Sequence, residues 1–115
     1  MKRLFLYILF FLFFSNISNA SKSLVYSKYI QSQNKEHVIQ HLLSVESGMS
    51  WMQTWSKKYL YCVPEKFKMN IHTAKDAIEL GVEDFKSRNI STQKINDAPV
   101  EVVLLEGLKI LFPCN

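Results

Sequence analysis

Two cysteines, Cys62 and Cys114, are the only ones in this chain, and their placement constrains the fold more than any other feature. They bracket a stretch that opens Tyr61-Cys62-Val63-Pro64-Glu65 and closes Phe112-Pro113-Cys114, with two helix-like segments between. The N-terminus reads as a secretion signal. Met1-Lys2-Arg3 is basic, Leu4 to Phe14 is an unbroken apolar run, and the small residues Ser18 and Ala20 flank Asn19, which predicts cleavage after Ala20. The rival reading, an uncleaved membrane anchor, needs a longer span of about 20 apolar residues. No cysteine near Ala20 offers a lipid attachment point. Secretion brings thiols into oxidising conditions, where they pair. A Cys62–Cys114 disulfide would close a loop of roughly 50 residues, for which the chain-entropy model gives roughly 4 kcal/mol. The other reading is two free buried thiols.

The mature chain, Ser21 to Asn115, is 95 residues, enough for one domain with one modest core that a covalent staple would support. The formal charge of the whole chain is +4, but removing Lys2 and Arg3 leaves 12 basic against 10 acidic residues, a balance of +2. That near-neutral balance gives no case for nucleic-acid or membrane-surface binding, and no anchoring remains once the signal is cleaved.

Periodicity predicts an all-α fold, a small bundle of about four helices stapled by Cys62–Cys114. Ser21 to Asn34 reads as a loosely attached leading segment or short helix, with Val25, Tyr29 and Ser32 on one face. From Asn34, a candidate N-cap, Val38, Leu42, Val45, Met49, Met52, Trp55 and Tyr59 recur at helical steps, widened by Ile39 and Leu43. Lys57 and Lys58 fall in the expected last turn, and Gly48 mid-helix suggests close approach of another helix, with a kink as the other reading. Pro64 marks a connection. Asn70 is placed to cap a helix over Ile71 to about Ser87, with Ile71, Ala74, Ile78, Gly81, Val82 and Phe85 inward. Asp76, Glu79 and Glu83 form its solvated streak. Arg88 to Asn96 reads as a polar loop, Asp97 as the cap of the last helix, and Pro99 as a tolerated first-turn residue. Val100, Val103, Leu104, Gly107, Leu108 and Leu111 form that helix's stripe. With Val102, Leu105, Ile110 and Phe112 it is apolar nearly all round, so it is either central or shared with a second subunit.

The order Cys62-Val63-Pro64, amphipathic helix, polar loop, second apolar helix with Ala98-Pro99 at its start, and terminal Phe112-Pro113-Cys114 resembles the Rap/Tai family over roughly Gln40 to Cys114. Gly48 matches the glycine-containing segment of that family's long helix. The resemblance implies a periplasmic immunity protein that neutralises a type VI secretion effector. It further implies an effector of the peptidoglycan-amidase kind with a cysteine–histidine catalytic pair, obstruction of that site, and a homodimer.

The residues themselves offer little chemistry. His37 and His41 at i,i+4 share a helical face, but His72 is distant in sequence and no cysteine is free to help, so no metal is expected. Disulfide-bonded cysteines supply no thiolate. No serine sits in a nucleophile elbow, and with three glycines in the chain there is no phosphate loop. The paired carboxylates Asp76, Glu79, Glu83 and Asp84 lie on a solvated face. We therefore expect a non-enzymatic protein without cofactor. Binding is what remains, and Trp51, Trp55, Tyr59, Tyr61 and Phe67 crowd the region of Cys62. Trp55 and Tyr59 lie on the stripe and read as core, whereas Trp51 falls off it and is a candidate contact. The polar loop, held between stapled helices, supplies the others: Arg88, Asn89, Ser91, Gln93 and Lys94. Two alternatives come from other classes. One is a small periplasmic acid-stress chaperone, less suited to a chain only 21% charged. The other is a lysozyme-inhibitor-like binding protein.

Overall fold

The computed structural model describes residues 24–115; the expected signal and its cleavage after Ala20 lie outside the described residues. Five helices occur among them, α1 (Tyr26–Gln31), α2 (Lys35–Ser56), α3 (Ile71–Ser87), α4 (Thr92–Asp97) and α5 (Val100–Leu111). The fold is all-α, and Cys62 is bonded to Cys114 across 52 residues of sequence.

Local chemistry sets most helix ends. Asn34 Oδ1 accepts from His37 N at 3.3 Å, Asn70 Oδ1 from Thr73 N at 3.0 Å, and Ser91 Oγ from Lys94 N at 3.3 Å. Each satisfies a first-turn donor that the helix cannot. α3 ends in a left-handed Asn89 at φ 60°. Asn89 N donates to Lys86 O and Ile90 N to Phe85 O, the paired bonds of a Schellman stop. The chain then turns directly into α4, so the expected loop from Arg88 to Asn96 is mostly a cap followed by a short helix. Only Ile95 of α4 is buried, which is why the segment reads as polar.

α5 starts differently from expectation. Asp97 does not cap it; Asp97 is the last residue of α4, and Pro99 holds the cap position without a side-chain bond. The leading segment completes this helix start instead. Val100 N donates to Leu24 O at 2.9 Å and Tyr26 N to Ala98 O at 2.8 Å, around a single antiparallel bridge between Val25 and Pro99. With Tyr29 buried beside them, residues 24–31 are attached, not loose.

The centre of the fold is the antiparallel packing of α3 on α5. A Cβ added at Gly81 would strike the Val103 carbonyl, and one at Gly107 would strike the Ala77 carbonyl. One turn forward on α3 is thus one turn back on α5, with the two backbones in direct contact. Ala74, Ala77, Ile78, Val100, Val103, Leu104 and Leu108 fill the seam, and Ile39 and Leu42 of α2 close over it. Gly48 does not mark a close approach, because nothing lies within 4 Å of where its Cβ would be.

α2 buries a different face from the expected stripe. Its inward residues are Ile39, Leu42, Glu46 and Gln53. The helix stops at Ser56, where Lys57 turns left-handed at φ 56°, so Lys57 and Lys58 lie beyond the last turn. Gln53 Oε1 then accepts from both Leu60 N at 2.7 Å and Tyr61 N at 3.2 Å. That folds the chain back along the helix and drives Tyr61, 1% exposed, into the core. Trp55 and Tyr59 are left outside, contrary to their reading as core; Trp55 is 82% exposed.

Candidate functional site

The returning segment and α2 make a groove. It has a volume of about 610 Å³ and runs between the last two turns of α2 and Leu105 of α5, with Leu60 and Tyr61 as its far wall. Met49 and Met52 form the α2 wall, and Gly48, lacking a side chain, leaves a notch in it. Met52 and Leu60 of this lining are exposed, and Trp51, Trp55 and Tyr59, outside the lining but close in sequence, are exposed as well. Exposed apolar side chains of that composition, together with a preformed depression, are what protein interfaces use. Trp51, Trp55 and Tyr59 are spaced by four residues, yet helix ends at Ser56, so the third reaches the surface from the turn.

Polar groups inside the groove wall are satisfied internally. Tyr61 Oη donates to Glu46 Oε1 at 3.1 Å. Burial, and after it the charge and hydrogen bond of Glu46, push the Tyr61 phenol well above its usual 10.0. Tyr61 therefore stays a protonated donor at any ordinary pH, and Glu46, 8% exposed, keeps its partner. With Gln53 engaged by two backbone amides, the wall is rigid before anything binds.

The other sequence candidates are dispersed. Arg88 is held at home by a bond of 2.6 Å to Asp84, a longer one of 3.5 Å to Glu106, and the Phe85 ring 5.1 Å below its guanidinium. Asn89 and Ser91 act as helix stop and helix cap. Gln93 and Lys94 are exposed on α4. Trp51 is 65% exposed on α2 and is not among the residues that line the groove. Sequence reasoning missed Met52, Leu60 and the lysines beyond the helix end. The available signal was charge, because no acidic residue occurs from Ser47 to Tyr61.

His37 and His41 do share a face. They line a smaller cleft of about 300 Å³ with Val38, Val100 and Glu101, and Glu101 Oε2 is buried there without a hydrogen-bond partner. Among the described residues, no three histidine, cysteine, aspartate or glutamate side chains group as metal ligands would. No helix of the described residues is long and apolar enough to cross a membrane. No protein-family model, curated protein or solved structure matches the chain.

Proposed function

We propose that this is a non-enzymatic inhibitor protein of the immunity class, secreted to the periplasm, which binds a type VI secretion effector and blocks it. The observation that carries the reading is the apolar groove at the end of α2, preformed on a disulfide-braced helical scaffold that also exposes Trp51 and Trp55 on the same helix. Rigid aromatic anchors on a scaffold that loses little freedom on binding favour tight capture of a protein partner. The ordered motifs from Cys62 to Cys114 supply the class, and the apolar leader ahead of Ala20 supplies the compartment. Obstruction needs no chemistry from the inhibitor. In the same reading a pair of copies would meet through Val102 and Ile110, the exposed apolar residues of α5, since Val103, Leu104 and Leu108 are buried in the core.

The test is capture of candidate peptidoglycan-cleaving effectors by the purified protein, with cell-wall cleavage as readout. Binding with loss of cleavage is the expected result. Binding of no effector, together with suppressed aggregation of client proteins below about pH 3, where carboxylates are protonated, would replace this reading with the acid-stress chaperone.

A further inference from the structure

The groove carries a charge pattern that specifies its occupant. Between Lys57 and Lys68 stand Lys57, Lys58, Lys66 and Lys68 against one acid, Glu65, a local balance of +3. All four lysines are exposed, and among the described residues none is in an ion pair. Lys58 lines the groove itself. On the opposite wall the carboxylate nearest in sequence to Leu105 is Glu106, which is held by Arg88 at 3.5 Å and Lys109 at 3.2 Å. An apolar floor therefore meets the unpaired charge of Lys58 on its wall, with exposed Lys57 next to it in sequence.

We infer that the groove docks a protein segment whose apolar anchor side chains are flanked by aspartate or glutamate. This rests on reading the protein as a binding protein and names the partner chemistry of that same surface. A second copy of the chain meeting it twofold does not suit it, because both sides would present the same stretch from Ser47 to Tyr61, which has lysines and no acidic residue to pair with them. The anchor enters beside Gly48, where the missing side chain leaves room, and Met49 and Met52 adapt around it. The floor asks little of the anchor in hydrogen bonding, since the Gln53 oxygen already accepts two. Lys57 and Lys58 are exposed and act mainly on encounter rate and on choice of partner.

The experiment uses the purified protein and labelled synthetic peptides that share a Leu-x-x-Phe anchor and differ only in glutamate, glutamine or lysine flanks. Binding is read by anisotropy at low and high ionic strength. We expect the glutamate peptide to bind at least about tenfold tighter than the lysine peptide, with the gap shrinking in salt. The double variant K57E/K58E should reverse the order. Gly48→Phe should abolish binding of every peptide while leaving the melting temperature near that of the parent, because its side chain fills the groove and not the core. Equal binding of all three peptides, binding of none, or an order unmoved by charge reversal would each overturn the inference. So would a dimer in sedimentation that Gly48→Phe dissolves, since the face would then be a self-interface. Effector inhibition that survives K57E/K58E unchanged would sink the acidic-anchor inference and keep the immunity reading. Peptide selectivity without inhibition of any effector would do the reverse.

Discussion

Tyr61 decides on which side of the molecule a whole segment lies. Its ring takes the core position that the α2 stripe, read alone, gives to Trp55 and Tyr59, and its hydroxyl meets the buried Glu46. Tyr61→Phe keeps the ring and removes the donor, so a buried carboxylate loses its partner. A destabilisation of about 1–3 kcal/mol is expected, measured by urea unfolding. The same pair gives a pH signature. The folded chain holds the Tyr61 proton above 10.0, while the unfolded chain releases it near that value. Its contribution is therefore complete below about pH 10 and is lost as pH rises from there toward the folded value. Burial first, then Tyr26 and Glu79, raise Tyr29 in the same direction, so part of the alkaline loss remains in the variant. Stability measured from about pH 8 to 11 should fall more steeply in the parent than in Tyr61→Phe. Parallel curves would mean that Tyr61 titrates alike in both states.

Between elements, glycine chemistry separates packing from mere tolerance. Gly107→Ala pushes a methyl group into the Ala77 carbonyl, and the α3–α5 backbones must part. A cost of about 1–3 kcal/mol or more is expected, a fall of about 4–8 °C per kcal/mol in a domain of this size. Gly48→Ala meets open space on a helix and should instead stabilise by about 1 kcal/mol. Trp55→Ala belongs with Gly48. At 82% exposure its removal should leave the urea midpoint nearly unchanged, yet cost about 2 kcal/mol or more in partner affinity if it anchors the interface. Periodicity made α3 and α5 legible because each buries one apolar stripe against the other. It failed on α2 because Glu46 and Gln53, two turns apart and both polar, face inward. Their reason for burial is a tyrosine and two amides that arrive after the helix has ended. A stripe count sees apolar residues, and the turn at Lys57 is a long-range decision. α4 escaped for the opposite reason: a helix that buries only Ile95 has almost no stripe to read.

The whole molecule is closed at one end by covalent and polar links. Cys62 is bonded to Cys114, Cys62 N donates to Phe112 O at 2.8 Å, and the Phe67 ring stands edge-on to Phe112 at 5.0 Å. The two cysteines were legible as a pair from their number and from an N-terminal sequence that reads as a secretion signal; the groove beside them was not, since Met52, Leu60 and Leu105 converge only after the chain has turned back. Removing the bridge with the pair Cys62→Ser and Cys114→Ser frees a loop of 52 residues in the unfolded chain, at a loss of roughly 4 kcal/mol. Domains of this length have about 5–15 kcal/mol in all, so the variant should fold but melt far earlier. Two origins for the loss can be told apart. If the bridge acts by restricting the unfolded chain, the variant's unfolded state expands, the urea m-value rises, and the folded groove binds its partner as before at low temperature. If it acts by holding the return segment against α5, the m-value stays put and affinity falls together with stability. The Gln53 and Phe112 hydrogen bonds fix that segment without the sulfurs, so we expect the first outcome. An affinity loss of about tenfold or more at a temperature where the variant is fully folded would establish the second.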